Sequence, residues 1–266
     1  MNTTIIGRGR VGNALAHSLA KDRTFRVATV GKRLTPAAIR NAEVIIIAVP
    51  DTAIESVASA IAPSLRRGAV VIHCAGARPV AVLDACASRG AHIGIMHPLV
   101  SFPSATRHPR LSGMTFVVCG SRQAVAAARK VANACEAHAV VGATDDPTYH
   151  AAAALAANGA AALAHVAVGL FEKLGMSRRD AQRAVGGLVQ SVGDNVARLG
   201  TPTALTGPVA RGDRSTVSQH RAALRKAHRK ALAAYDAVLP VIVQTAEAQG
   251  LQPQRARAIR RLIARR

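Results

Sequence analysis

A chain of 266 residues with a formal net charge of +21 has room for about two domains with real cores, and it needs neither disulfides nor a metal site to hold it together. Four scattered cysteines, Cys74, Cys86, Cys119 and Cys135, form no C-x-x-C pair, and the first residues run into a strand and a glycine turn instead of a signal sequence, so a reduced cytoplasmic protein is expected. With no Trp, four Phe and two Tyr, and with arginine spread along the chain, the composition speaks against a nucleic-acid partner that stacks bases or neutralises a phosphate track.

The opening "TTIIGRGRVGNALAHSLA" reads as strand, tight turn and helix, with Gly7, Gly9 and Gly12 in G-x-G-x-x-G spacing. Such a turn needs glycine for the bend, for close approach of a pyrophosphate and for helix–strand packing, with the phosphates at the helix N-terminus. Gly7, Arg8, Gly9, Arg10, Val11 and Gly12 are therefore candidate cofactor contacts. The apolar runs "FRVATV", "AEVIIIAVP", "GAVVIHCAG", "AHIGIMHP" and "MTFVVCG" follow, separated by segments of helical length, which predicts a parallel sheet buried on both faces. The fold class is α/β, with a doubly wound Rossmann domain over residues 1–145.

After the second run the chain reads "TVGKR", with Lys32 and Arg33 where an NAD site usually carries an acid for the ribose hydroxyl. Two cations there suit a 2′-phosphate, so NADP(H) is the expected cofactor. Ligands of open α/β sheets lie beyond the carboxyl ends of the strands. Those ends carry Val49, Pro50 and Asp51, then His73, both expected near the cofactor, and then His97 and Ser101 of "HPLVSF". His97 is a candidate catalytic acid and Ser101 a candidate substrate contact.

From residue 146 onward the pattern is helical, which predicts an all-helical domain over 146–266. Ala151 to Phe171 is long enough to span a bilayer, but it is mostly alanine and carries Asn158, Gly159 and His165, so it is expected to be a buried soluble helix with no membrane role. Spacing of four places His150, Ala154 and Asn158 on one face. The polar pair either finds partners within the helical domain or lines a cleft. In "ALTGPVARGDRSTVSQH" turn residues explain Gly207, Pro208 and Gly212, but not Thr206, Arg211, Asp213 and His220 beside them. Arg211 suits bidentate carboxylate binding, and Asp213 with Thr216 could cap the next helix. In the final "RARAIRRLIARR", Ile259, Leu262 and Ile263 make an apolar stripe opposite the arginines, the pattern of a docked helix.

The motifs "GRGRVG", "AVPDTAI", "HCAGA", "MHPLVSF", "YHAAAALAAN" and "ALTGPVARGD" resemble, in order, those of Rossmann-like proteins with a DUF2520 C-terminal domain. These are relatives of 6-phosphogluconate dehydrogenase-like and pyrroline-5-carboxylate reductase-like oxidoreductases, and the resemblance spans about Thr3 to Leu239. It implies an NADP-linked reductase for a small anionic oxo acid, ketopantoate-like, or an imine, with a helical domain that pairs two copies as a homodimer. His97, His150 and Asn158 are then the catalytic candidates, and Ser101, Thr206, Gly207, Pro208, Arg211 and Asp213 the substrate contacts; no metal is implied. The wider superfamily often sets a lysine one helical turn before the asparagine, where this chain has Ala154. That departure raises a non-catalytic NADP-binding regulator as the alternative, ahead of a basic protein associated with nucleic acid.

Overall fold

A computed structural model describes residues 1–31, 34–144 and 146–264. The chain forms two compact units, Met1–Leu155 and Ala156–Arg266. The first contains a seven-stranded sheet of β1 (Asn2–Ile6), β2 (Arg26–Val30), β3 (Val44–Ile47), β4 (Val70–His73), β5 (His92–Pro98), β6 (Thr115–Gly120) and β7 (His138–Val141), in the order β2-β1-β3-β4-β5-β6-β7. Its helices are α1 (Arg10–Leu19), α2 (Pro36–Arg40), α3 (Ile54–Ile61), α4 (Asp84–Ala87), α5 (Arg122–Ala134) and α6 (Pro147–Ala154).

Alternation along the strands divides the Ile and Val side chains between two cores. Ile5, Ile46 and Ile72 face one side with Leu15 of α1 and Val131 of α5. Ile6, Ile45, Ile47 and Val71 face the other with Ile54 and Ile61 of α3. Burial on both faces is what lets these strands be nearly continuous apolar runs. The order of the strands reverses direction beside β1, so a crevice opens beyond the carboxyl ends of β1 and β3.

Two features differ from expectation. The sheet is not wholly parallel, because β6 pairs antiparallel with β5, in register His97↔Val117, and β7 follows β6 in parallel. A parallel return needs a crossover, usually a helix, whereas residues 99–114 contain Pro103 and Pro109 and form none, so the strand comes back antiparallel. The edge strand β7 adds to the six runs legible in the sequence; "HAVV" is short and leaves Val140 and Val141 more than half exposed.

The second unit is all helical: α7 (Ala160–Lys173), α8 (Arg178–Leu199), α9 (Arg214–Ala227), α10 (Arg229–Ala248) and α11 (Pro253–Ala264). Val209, Val217, Leu239, Val243 and Ile259 form its core. Beside it, Arg221 is almost wholly buried, donates to both carboxylate oxygens of Asp236 and bonds the Leu262 carbonyl, so the charge enters the interior already paired. The stripe read from the C-terminal arginine run docks as expected through Ile259 and Leu262. The expected burial of Ala151 to Phe171 is not found. None of α6 or α7 is buried, and the stretch Pro147–Lys173 is by length and composition apolar enough to cross a membrane. Small alanine side chains give this stretch little volume with which to fill a core.

Candidate active site

The turn from β1 to α1 is built around two glycines that tolerate no side chain. Gly7 has φ +117°, and a Cβ on it would meet the Ala48 carbonyl oxygen at 2.3 Å; one on Gly12 would meet the Gly7 carbonyl oxygen at 2.0 Å. This close approach of turn, helix and β3 leaves Gly9 facing open space, its nearest neighbour being Ala48 O at 4.0 Å. Gly9 is the N-cap of α1 and offers no side-chain acceptor, and the first turn carries no acid, so the leading amide groups of the helix are free to receive an anion. Arg8 and Arg10 are exposed beside this opening, while Val11 packs against the core. Arg10 donates to the Phe102 carbonyl and Asn13 to that of Ala105, which ties the loop after β5 to the start of α1. The Arg8 side chain runs past the end of β2, its Cδ 3.8 Å from the position a Cβ on Gly31 would take. Lys32 and Arg33 lie outside the described residues. A dinucleotide fits this cradle: the glycines leave room for a pyrophosphate, and Arg8 is an exposed cation beside it. Val49 and Pro50 continue β3 toward the same crevice, and exposed Asp51 begins a short 3-10 turn.

His73 was expected among the cofactor contacts, but it is fully enclosed. Its Nδ1 accepts from the Ala75 amide at 3.2 Å and its Nε2 lies 3.3 Å from the Pro79 carbonyl, so both ring nitrogens hold the loop after β4 in shape. Burial pushes its pKa down to about 4, which keeps the ring neutral. The residue expected to meet the cofactor is therefore a brace for the loop that lines the site.

His97, at the end of β5, is half-buried and lies against Gly76 of that loop. A Cβ on Gly76 would fall 2.5 Å from His97 Cε1 and 2.8 Å from Nε2, so the glycine makes room for the ring. On the other side, His97 Nδ1 is 2.7 Å from the hydroxyl of Tyr149, with the two rings edge-on at 5.6 Å between centroids. Tyr149 is positioned by the start of α6, where Asp146 accepts from Thr148 N at 2.7 Å and Pro147 fills the first turn. His150 brings a second imidazole to 6.3 Å from His97. Burial lowers the His97 pKa, with His150 lowering it further and Asp51 opposing, and burial raises the Tyr149 phenol to about 12.

Tyr149 was not among the expected site residues. Its signal was its place beside His150 in a chain with only two tyrosines. Arg78 is the other omission: it follows Gly76 closely, approaches Glu55 at 3.8 Å, and leaves its Nε buried with no hydrogen-bond partner among the described residues. Ser101 is exposed in the loop after β5. His150 lies in α6, and Asn158 lies in the π-turn Leu155–Gly159 that follows it, where i to i+5 bonding replaces regular α-helical spacing.

In the second unit, Thr206, Gly207 and Arg211 line a cavity of about 600 Å³ with Gln249, Leu251 and Arg255. Gln249 Nε2 donates to the Thr203 and Leu205 carbonyls and Arg255 Nη1 to that of Arg211, so the loop is tied down along its length. Pro208 accepts from Asp213 N, and Asp213 caps α9, accepting from the amide and hydroxyl of Thr216.

Residues 26–98 match a Rossmann-like domain, and residues 114–242 match DUF2520, a domain of unknown function. The chain joins a Rossmann-like domain to a DUF2520 domain. His97 lies in the Rossmann-like match and Tyr149 in the DUF2520 match, so the 2.7 Å contact links the two sequence families inside the first compact unit. Among solved structures, protein TM1727 from Thermotoga maritima is similar at TM-score 0.66 and 22% identity, over 93% of this chain and 99% of that one. The Plasmodium falciparum pyrroline carboxylate reductase with NADP bound is similar at TM-score 0.59 and 16% identity, over 99% and 97%. The Streptomyces aurantiacus imine reductase follows at TM-score 0.58 and 18% identity, over 100% and 94%. At these identities the likeness is one of fold. No curated protein matches the chain.

Proposed function

We propose that this Rossmann-like and DUF2520 protein is an oxidoreductase that uses NADPH to reduce a small anionic oxo acid, ketopantoate-like, or an imine, with His97 as the proton donor. The observation that carries this reading is the set His97–Tyr149–His150 at the end of β5, in the same unit as the Gly7–Gly12 cradle. When bound, the nicotinamide supplies a hydride. The cradle holds the diphosphate, Arg8 together with Lys32 and Arg33 meets the ribose phosphate, and His97 gives a proton to the atom that becomes an alkoxide or amine. The NADP of the Plasmodium relative supports the cofactor choice. Arg78 and, on the helical unit, Arg211 are cations suited to a substrate carboxylate.

The apolar surface of α7 and α8 supports a homodimer through the helical unit. Leu163, Leu188, Val189, Val192, Val196 and Leu199 are 43–63% exposed, and Gly186, Gly187 and Gly193 have nothing within 4 Å of an added Cβ, which leaves room for a second helix pair to approach. Polar Gln190, Asp194, Asn195 and Arg198 interleave with this surface, a pattern better matched to a second copy than to lipid. Ala154 in place of a superfamily lysine favours, as the second reading, an NADP-binding regulator without turnover. The deciding experiment follows NADPH absorbance with a panel of 2-oxo acids and cyclic imines. Turnover that His97→Asn lowers about 100-fold or more, with NADPH affinity intact, supports the enzyme. Tight NADPH binding with no turnover on any substrate leaves the regulator.

A further inference from the structure

Resting on that reading, we propose that Tyr149 is the second member of a proton relay, its phenol giving a proton to His97 Nδ1 as His97 gives the proton on Nε2 to the substrate. The reason lies in which nitrogen is free. Gly76 and Tyr149 hold the ring from two sides, and the 2.7 Å contact commits Nδ1 to the phenol oxygen. Of the two possible donors, the phenol O–H is the stronger acid than a neutral imidazole N–H, so the hydroxyl donates and Nδ1 accepts. The single ring proton then resides on Nε2, the tautomer being set by the bond its partner nitrogen makes.

A neutral imidazole is a poor acid by itself, because giving up its one proton would leave an imidazolate. His97 is in that condition at neutral pH: burial and the facing His150 disfavour its cation, opposed only by Asp51, and the nearby His73 is itself neutral. Tyr149 removes the difficulty. As hydride from the reduced nicotinamide reaches the substrate carbon, the C=O π electrons pass to oxygen and the nicotinamide is oxidised. The His97 Nε2–H bond breaks and an O–H bond forms on the substrate; in the same event the phenol O–H bond breaks and an Nδ1–H bond forms. The imidazole is neutral before and after and has only exchanged tautomers, while the negative charge rests on the Tyr149 oxygen. A phenol near 12, raised by burial and by the adjacent Cys119, is still far more acidic than an alcohol, so the transfer runs downhill. Tyr149 is partly exposed, so water can restore its proton.

The test has one arm that needs no substrate. In ¹⁵N-labelled protein the His97 side chain is expected in the Nε2–H tautomer at neutral pH, and Tyr149→Phe is expected to release it into a mixture of tautomers while the melting temperature shows the fold is kept. An Nδ1–H tautomer in the wild type, or a tautomer ratio unmoved by Tyr149→Phe, overturns the relay whether or not the protein proves to be an enzyme. The second arm uses turnover: Tyr149→Phe should lower kcat about 100-fold with KM for NADPH unchanged, and the curved rate dependence on D₂O fraction expected for two protons moving together should become linear. Because the chain has only two tyrosines, 3-fluorotyrosine labelling supplies a milder variant. It should shift the alkaline limb of the pH–rate profile downward if Tyr149 gives the proton, and an unmoved limb overturns the role.

Discussion

The sheet unit and the α7–α8 pair treat apolar side chains in opposite ways. Ile5, Ile46, Ile47 and Ile72 are fully buried within the sheet unit, whereas α7 has no buried residue and α8 only Ala181 and Val185. Even within the helical unit the contrast holds, since α9, α10 and α11 close a core around Val217, Leu239 and Ile259. A sheet covered on both faces completes its interior from one chain and can therefore fix a constellation at its strand ends to within a few tenths of an ångström. The α7–α8 pair instead leaves an apolar face exposed, the surface on which the proposed homodimer rests.

The largest test of this contrast sets one glycine against another. Gly12→Ala pushes a methyl group into the Gly7 carbonyl at a site with no freedom to yield, and should cost about 4 kcal/mol, the upper end of single substitutions, along with NADPH binding. Gly187→Ala in α8 has open space around it and should be neutral or gain up to about 1 kcal/mol from helix propensity. Urea melts and NADPH titrations on both variants check the pair. Similar losses at the two positions would mean that something already occupies the space beside α8.

Next in size is a pH effect confined to the sheet unit. The His73 pKa falls from 6.5 in the unfolded chain to about 4 in the fold, so above pH 6.5 both states are neutral and the stabilisation is complete. As pH drops from 6.5 toward 4 the unfolded chain takes up a proton that the fold refuses, and about 3 kcal/mol is lost; below 4 this group contributes no further change. His73→Gln should be less stable than the wild type at pH 7 yet lose less between pH 7 and 4.5. Parallel stability–pH curves for the two proteins would contradict a neutral buried ring.

The dimer proposal predicts an effect of comparable size on association. Val192 is half exposed, so Val192→Glu should hardly change the stability of a single chain. If two copies meet there, symmetry buries two like charges at once, and the dimer should weaken at least about 100-fold by sedimentation equilibrium. A wild-type monomer at micromolar concentration ends the idea.

What the sequence discloses follows the same division. The glycine turn, the Ile and Val runs and His97 are legible because parallel-sheet burial and strand-end chemistry leave local signatures. Four things are not. The antiparallel turn at β6 depends on the failure of residues 99–114 to form a crossover, which no periodicity announces. His73 and His97 look alike as strand-end histidines, and only the loop wrapped from Ala75 to Pro79 makes the first a brace. Tyr149 and His97 are far apart in sequence, so their contact exists only once α6 starts beside β5; the π-turn that contains Asn158 is equally silent in an alanine-rich run.

The smallest effect separates the two roles read into "ALTGPVARGD". Asp213 accepts from Thr216 N at 3.0 Å and from Thr216 Oγ1 at 2.6 Å, and these bonds hold its carboxyl below the usual range. Its oxygens are thus occupied by the start of α9, and Asp213→Ala should lower Tm by a few degrees without changing KM, with Asp213→Asn losing less because it keeps an acceptor. Arg211 is exposed on the wall of the neighbouring cavity, and its carbonyl, not its guanidinium, is what Arg255 holds. Arg211→Ala should therefore leave Tm in place and raise KM for an anionic substrate about tenfold through the lost charge-assisted bond. The reverse result for Arg211, a lower Tm with KM unchanged, would make the whole segment a crossover and leave Arg78 in the sheet unit as the cation that receives the substrate.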